Sequence, residues 1–213
     1  MKLNEPQVGY YLGVFGGISL FQDDVFEGDG GKVTVNGSNT SYGDSLSPMA
    51  GLKFGYLWPF DEEPIDQFDA ELGGAKLRLS GGLEVEAFYL NNELDLSIGG
   101  STDSVLFDSA VVMTNFYLMG QVDSFRVYGG GGIGFASIWV SNYDNGGSEE
   151  DDATTFAYKG FIGTEYMISS DIGLFSEFQY LGFYEADFFS GTASLSLDNF
   201  EQMLLSVGVK KYF

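Results

Sequence analysis

Period-two alternation along most of the chain is the feature that most limits the possible fold. In the stretch GLEVEAFYL, residues 82–90, apolar Leu83, Val85 and Ala87 alternate with Glu84 and Glu86. Because successive side chains of a strand point to opposite faces, this pattern predicts strands with one apolar and one polar face. Eight segments have this strand character: residues 8–21, 46–58, 76–90, 110–122, 125–140, 155–168, 172–183 and 199–213.

The connections between these segments alternate in length. Two are very short, at residues 123–124 and 169–171, whereas residues 59–75 form a long acidic segment where a short turn is expected. Short turns at one end and long loops at the other are typical of up-and-down transmembrane barrels, whose strands have about 9–11 residues. Four connections are long, polar and rich in Gly, Ser, Asn and Asp: residues 22–45, 91–109, 141–154 and 184–198.

Charge is distributed unevenly between strands and connections. The net charge is −22, yet the polar faces of the strands carry nearly equal numbers of cations and carboxylates. A soluble sandwich or a lipocalin-like barrel, the alternative that alternation alone leaves open, would not need this balance, because its polar face meets water. A narrow lumen does, because buried charges are tolerated best when they are paired. The predicted lumen network is Lys53, Lys76, Arg78, Glu84, Glu86, Arg126, Lys159, Glu165, Glu177 and Lys210.

Four consecutive glycines, Gly129 to Gly132, lie inside the apolar and aromatic stretch FRVYGGGGIGFASIWV. A linker between domains would be flanked by polar residues, whereas an eight-stranded barrel is only just wide enough for side chains to fill it. We therefore expect Gly130, Gly132 and Gly134 to face the lumen, where they leave room for long charged side chains and allow tight coiling of the strand.

Aromatic residues cluster at the ends of the predicted strands. Such clusters are typical of the interfacial girdles of membrane barrels, although core packing would also explain them. One predicted rim contains Tyr10, Trp58, Tyr166, Tyr212 and Phe213, and the other contains Phe21, Tyr89, Trp139, Phe156 and Phe200.

Composition excludes several classes of function. The acidic charge argues against nucleic-acid binding, which needs a basic face. Neither histidine nor cysteine is present, so a Ser–His–Asp triad, a histidine base, a His-ligated zinc and thiolate chemistry are all excluded. Glu84 and Glu86 share one face and could act as an acid–base pair, but ion pairing is the simpler interpretation. We predict no enzyme activity and no cofactor.

Two acidic loops raise the question of calcium, which prefers clustered oxygen ligands. Neither loop has the spacing of a known calcium-binding loop, and solvated, aggregation-resistant loops explain the charge more simply. Divalent-ion bridging to lipopolysaccharide is the weaker hypothesis. Its candidate residues are Asp23, Asp24, Glu149, Glu150, Asp151 and Asp152.

The sequence resembles the small outer-membrane β-barrels of Gram-negative bacteria, namely the barrel domain of outer-membrane protein A and the opacity-type surface proteins. The stretches VGYYLGVFGG, GLEVEAFYL, VYGGGGIGFA and LFSEFQYLGF carry this likeness. The ending LLSVGVKKYF is similar to the assembly signal of such barrels, with Gly208, a displaced aromatic at Tyr212 and a terminal Phe213; Lys211 stands where an aromatic is usual.

The resemblance implies a single all-β domain over residues 1–213, an eight-stranded antiparallel up-and-down transmembrane barrel in the bacterial outer membrane. Its short turns are expected to face the periplasm and its long loops the outside of the cell. The N-terminus MKLNEPQ has no apolar signal segment, so we expect the mature form of an exported protein. Expected partners are outer-membrane lipid, lipopolysaccharide and, during biogenesis, the barrel-assembly machinery, and the barrel is expected to be a monomer. The predicted role is structural or surface display with a lumen plugged by ion pairs. The alternative is a narrow porin-like channel for ions or very small solutes.

Overall fold

Long antiparallel strands dominate the structure, a computed structural model. It describes residues 9–21, 25–28, 31–36, 46–60, 77–98, 101–142, 150–184, 186–190, 193–197 and 200–213. The strands are β1 (Gly9–Phe21), β2 (Val25–Gly28), β3 (Gly31–Asn36), β4 (Leu46–Pro59), β5 (Leu77–Ile98), β6 (Ser101–Val122), β7 (Phe125–Asn142), β8 (Glu150–Met167), β9 (Ile172–Phe183), β10 (Ala186–Ser190), β11 (Ala193–Leu197) and β12 (Phe200–Tyr212).

Eight of these strands close into a barrel, which confirms the predicted fold class. Neighbours around the ring follow the order β5–β4–β1–β12–β9–β8–β7–β6, and pairing of β6 with β5 completes the circle. The first and last barrel strands pair directly, with Val14 opposite Val209. Every pairing is antiparallel, so all backbone groups in the ring are satisfied without an exposed sheet edge.

Two barrel strands, β5 and β6, are much longer than the sequence predicted, and β7 and β8 extend by a few residues into the predicted loop 141–154. Residues 91–109 were expected to form a polar loop, but β5 and β6 continue as one paired hairpin up to Ile98 opposite Ser101. The alternation of Leu94 and Leu96 with Asp95 and Ser97 continues the strand pattern there, so polarity alone was misleading. Because the backbone ladder satisfies its own polar groups, a hairpin can project from a barrel even when its side chains are polar.

The predicted loops 22–45 and 184–198 also contain short strands. The hairpin β2–β3 pairs with the projecting end of β5, through Val35 opposite Leu96. The hairpin β10–β11 pairs with β2, through Leu195 opposite Gly28. The backbone of these two connections therefore extends the sheet beyond the barrel on the long-loop side. The acidic segment 61–76 lies outside the described residues.

The outer surface of the barrel is an apolar belt. Leu118, Phe135 and Phe116 are 65 %, 64 % and 62 % exposed. A continuous surface of this kind is rare on soluble monomers, where large apolar patches mark interfaces. Lipid is the surrounding in which such a belt is stable. The described residues include no helix that is long and apolar enough to cross a membrane.

Candidate functional site

The lumen contains an ionic layer centred on Lys53, which is 1 % exposed. Its Nζ lies 2.8 Å from Glu177 Oε1, 3.3 Å from Glu84 Oε1 and 3.6 Å from Glu86 Oε2. Alternation on β4, β5 and β9 turns each of these side chains inward, and the small barrel brings them together. One ammonium thus interacts with carboxylates from two other strands, at a buried position where bulk water does not solvate these charges.

Lys159 completes this layer from the opposite side of the ring. Its Nζ is ion-paired and hydrogen-bonded to Glu86 Oε2 and donates to Gln179 Oε1 at 3.2 Å. Asn115 donates from Nδ2 to both Glu84 Oε1, at 3.0 Å, and Glu86 Oε2, at 2.9 Å. The amide thereby holds two like charges side by side. The layer is a cross-linked network that ties β4, β5, β6, β8 and β9 together.

A second ionic group lies nearer the short-turn end and is built around Glu165. Arg126 Nη1 donates to Glu165 Oε1 at 3.1 Å, and the hydroxyl of Tyr212 donates to both carboxylate oxygens at 2.7 and 2.9 Å. Lys210 Nζ lies 3.6 Å from Glu165 Oε2. Charge-assisted hydrogen bonds of this kind are stronger than neutral ones. They connect the last strand, β12, to β7 and β8.

Aromatic rings surround the Lys210 ammonium. Its Nζ lies 4.6 Å from the ring centre of Tyr128, 4.9 Å from Phe175 and 5.0 Å from Tyr11. The negative faces of aromatic rings attract a cation, and more strongly when it is desolvated. The hydroxyl of Tyr11 also donates to Glu84 Oε2 at 2.7 Å. Tyrosines therefore couple the second ionic group to the layer around Lys53.

Apolar side chains fill the lumen on the long-loop side of the ionic layer. Phe15 packs against Phe88, with ring centres 6.4 Å apart. Phe175 contacts Phe15 at the same distance, but it lies on the short-turn side of Glu177, beside Lys210. Leu181 and Leu204 are fully buried beside them. The filling of the lumen is therefore not ionic throughout, as the prediction of a lumen plugged largely by ion pairs implied, because apolar side chains pack in its outer part. The remaining buried members of this cluster are Met49, Leu90, Val111, Met113, Ala136, Ile138, Ala153, Ala157 and Phe183.

The glycine run faces the lumen at alternate positions. A Cβ on Gly130 would overlap Tyr117, one on Gly132 would overlap Asn115, and one on Gly134 would overlap the backbone of β6. These three glycines are required because β7 passes very close to the inward side chains and backbone of β6. Because these inward positions of β7 are glycines, the side chains of the neighbouring strand β6 have room inside the narrow barrel.

Eight of the ten predicted network residues are buried in the lumen together. They are four cations, Lys53, Arg126, Lys159 and Lys210, and four carboxylates, Glu84, Glu86, Glu165 and Glu177. Among the described residues these are all the buried charged side chains, so the lumen is electrically balanced. Arg78 is instead half-buried near the start of β5, and Lys76 lies outside the described residues.

Most of the candidate calcium ligands lie outside the described residues. Asp23, Asp24 and Glu149 lie outside the described residues, and so do the side chains of Glu150 and Asp151. Asp152, the third residue of β8, is exposed. The described residues contain no group of three or more carboxylates able to hold a metal ion.

The C-terminal residues correct one part of the aromatic-rim prediction. Tyr212 is 3 % exposed and lies in the lumen, whereas Phe213 is 75 % exposed on the outside. The physical reason is strand phase: Lys210 and Tyr212 share the inward face of β12, and Lys211 and Phe213 share the outward face. Tyr212 therefore serves the Glu165 group and is absent from the girdle. Gly208 lies inward, where a Cβ would overlap Phe15 and Phe175.

Sequence reasoning missed the inward aromatic residues. Tyr11, Tyr117 and Tyr128 are buried beside the charges. Phe15 and Phe88 belong to the apolar layer, and Phe175 packs against Phe15. Strand phase was the available signal: Phe88 is two residues from Glu86, and Phe175 is two residues from Glu177. Chemically, the assembled lumen stabilises opposite charges away from bulk solvent. Each of its four buried carboxylates has a cationic partner.

Comparison with known proteins identifies the architecture. No protein-family model matches the chain, and neither does any curated protein sequence. Outer membrane protein OprG from Pseudomonas aeruginosa is 15 % identical, with 100 % of this chain and 99 % of OprG covered at a TM-score of 0.60. A major outer membrane protein from Thermus thermophilus is 9 % identical, with 96 % and 99 % covered at a TM-score of 0.50. Neisserial surface protein A is 14 % identical, with 98 % and 100 % covered at 0.47.

The fold is that of the bacterial outer-membrane β-barrels. The apolar belt is the surface that this fold presents to lipid, and both observations agree with the predicted outer-membrane location. The more specific likeness to outer-membrane protein A or to opacity-type proteins stays a prediction.

Proposed function

We propose that this chain is a non-catalytic outer-membrane barrel with a sealed lumen, whose long connections form a structural or surface-display platform. The observation that carries the proposal is the stacking of an apolar layer on a charge-balanced ionic layer inside the barrel. Lys53, Glu86 and Lys159 are 1 %, 0 % and 4 % exposed, so the layer is shielded from bulk water in this state. Eight strands enclose packed side chains, whereas aqueous channels generally need about sixteen.

The long connections support the display role. The hairpin β2–β3 joins the projecting end of β5, and β11 joins β2, so backbone pairing links separate connections above the barrel. A hydrogen-bonded extension of this kind presents side chains on a defined frame. The proposed partners follow from location: outer-membrane lipid and lipopolysaccharide around the belt, and the assembly machinery that reads the last strand.

The absence of catalysis is part of the proposal. Glu84 and Glu86, the carboxylate pair considered for acid–base work, are bound to Lys53, Asn115 and Lys159 and are shielded from substrate. A general acid or base must reach the proton it transfers, directly or through one water. Their partners and burial favour a structural role for both groups.

A narrow channel is the second candidate, because four buried polar atoms have no hydrogen-bond partner within the described residues. They are Gln202 Nε2, Glu86 Oε1, Asn115 Oδ1 and Arg126 Nη2. These atoms are distributed along the barrel axis, from Gln202 towards the long-loop end to Arg126 next to a short turn. A single file of water molecules through the lumen would need such a distribution. Opening such a file would mean moving the apolar layer around Phe15 and Phe88.

Single-channel conductance of the refolded protein in a planar bilayer tests the proposal. Folding is checked in the same sample by the difference in gel migration between unboiled and boiled protein. The sealed barrel predicts a migration shift with no discrete conductance steps. A variant with Phe15→Ala and Phe88→Ala, which thins the apolar layer, is the positive comparison. Discrete steps from the folded parent protein would contradict the sealed lumen and favour the channel.

A further inference from the structure

A groove of about 650 Å³ lies on the outer surface of the barrel, along β6 and β7. Thr114 and Phe116 of β6 line one side, and Ile133 and Phe135 of β7 line the other, with Gly131 between them. The volume falls within the range of small-ligand pockets. No charged side chain lines the groove, and Thr114 contributes its only side-chain hydroxyl.

Gly131 differs from the inward glycines beside it. A Cβ on Gly132 or Gly134 would overlap β6, so the barrel itself requires those glycines. A Cβ on Gly131 would meet only the Lys159 carbonyl oxygen, at 3.2 Å, and a shift of a few tenths of an ångström would relieve it. Glycine in the interior of a strand is destabilising relative to alanine. Barrel closure therefore does not account for the missing side chain in the groove.

The groove lies halfway across the membrane. Gly132 is seven residues from Phe125, at the short-turn end of β7, and seven from Trp139, near the outer rim. Fourteen residues at about 3.3 Å each, tilted by about 45°, span roughly 33 Å, close to the thickness of the hydrocarbon core. Lipid head groups do not reach this depth. Only hydrocarbon chains and other apolar membrane molecules do.

The two ends of the groove are different. Towards the outer rim, Phe135 and Phe156 close it with an edge-to-face pair whose ring centres are 6.0 Å apart. Towards the short-turn end, the outward positions of β7 next to the groove are Gly131 and Gly129, which carry no side chains. An elongated occupant therefore enters from the periplasmic leaflet, where phospholipids supply the hydrocarbon chains.

We propose that this groove binds one acyl chain of a phospholipid from the periplasmic leaflet. A second copy of the barrel fits the groove less well, because nine residues line it whereas a stable protein interface uses about 20–30 residues on each side. The proposal is independent of whether the lumen conducts.

Fluorescence quenching in vesicles of phospholipid alone, containing phospholipids brominated along the acyl chain, tests the proposal. The reporter is Phe135→Trp in a background with Trp58→Phe and Trp139→Phe, so that it is the only tryptophan. The matched control reporter is Val207→Trp, which faces lipid on β12, across the ring from β6. A bound chain predicts stronger quenching in the groove than at position 207 at low fractions of brominated lipid.

Filling the groove is the second arm of the test. Thr114→Phe should abolish the excess quenching of the Phe135→Trp reporter, and Gly131→Val should do the same if Thr114→Phe fails to fold. Val207→Phe in the same reporter should leave the excess unchanged. Equal quenching of the two reporters, or an excess that survives a folded filling variant, overturns the proposal. A reporter protein that is dimeric, and that Thr114→Phe converts to a monomer, overturns it in favour of a second copy.

Discussion

Removal of the Lys53 ammonium is the perturbation that tests the ionic layer most severely. Lys53→Met keeps the length and the apolar stem of the side chain but leaves Glu84, Glu86 and Glu177 without their shared cation. All four groups are buried, so the uncompensated negative charge cannot be screened by water. We expect the variant to lose much of its stability while keeping the barrel architecture.

The magnitude follows from the geometry around Lys53. Removing one partner of a buried ion pair typically costs about 3–5 kcal/mol, because the other charge is left desolvated and unpaired. Glu86 keeps Lys159 as a partner, so a loss of about 4 kcal/mol in the free energy of unfolding is expected, a factor on the order of a thousand in the unfolding equilibrium constant.

Urea unfolding in lipid vesicles, followed by the fluorescence of Trp58 and Trp139, measures this loss. Lys211→Met is the matched control, because Lys211 is 48 % exposed and pairs with Asp171 outside the lumen. That control should unfold at nearly the parent urea concentration. Adding Glu177→Gln to Lys53→Met should restore part of the stability. A loss below about 1 kcal/mol for Lys53→Met, the value of an exposed pair, would refute the ionic layer as described.

Three further predictions concern a glycine, a tyrosine and a surface pair. Gly132→Val should fail to give the folded form on unboiled gels, because its side chain overlaps β6. Tyr212→Phe should lower the free energy of unfolding in urea by about 1.5–3 kcal/mol, the value of a hydrogen bond to a charged group such as Glu165. At the short turn, hydrogen bonds from Lys211 and then from Ser169 hold the pKa of Asp171 below its usual value of 3.8, which NMR titration of that carboxyl in micelles should show. Since the folded-state pKa is the lower one, ionised Asp171 stabilises the fold at neutral pH, and this contribution disappears as the pH falls through the folded-state pKa.

Matched variants separate these effects from general damage. Gly160→Val should fold, because a Cβ on Gly160 meets open space on the outer surface, and equal failure of both glycine variants would contradict the steric explanation. Tyr10→Phe, at an exposed position, should leave unfolding unchanged. A loss equal to that of Tyr212→Phe would remove the case for the Glu165 hydrogen bonds. An Asp171 pKa that Lys211→Met leaves unchanged would show that the pair does not form in solution.

The inward or outward phase of each strand made the contacts between adjacent strands predictable from the sequence. Alternation placed Lys53 and Glu86 on inward faces, and hairpin order made β4 and β5 neighbours, where these two residues are direct cross-strand partners. Arg126 and Glu165 are likewise partners on β7 and β8. Contacts between adjacent strands are therefore within reach of sequence reasoning, because period two and antiparallel order determine them.

Contacts across the lumen could not be predicted in the same way. Lys159 reaches Glu86 from β8 to β5, and Lys210 reaches Glu165 past the intervening β9. These pairs depend on the diameter and stagger of the barrel, which alternation does not determine. The projecting β5–β6 hairpin was missed for another reason: residues 91–104 are rich in Asn, Asp and Ser, so their composition resembled a loop although the backbone pairs throughout.

The most direct test of the central claim, that the outward face of this barrel meets lipid, is a spin-label accessibility measurement on β12. The chain has no native cysteine, so single variants Leu205→Cys, Val207→Cys and Val209→Cys can each carry one label in vesicles. All three positions face outward and are 43 %, 60 % and 39 % exposed. The account predicts that oxygen, which dissolves in hydrocarbon, collides with each label more often than a water-soluble nickel chelate does. Nickel collisions that dominate at these positions would show that the apolar belt meets water, and the transmembrane barrel would be contradicted.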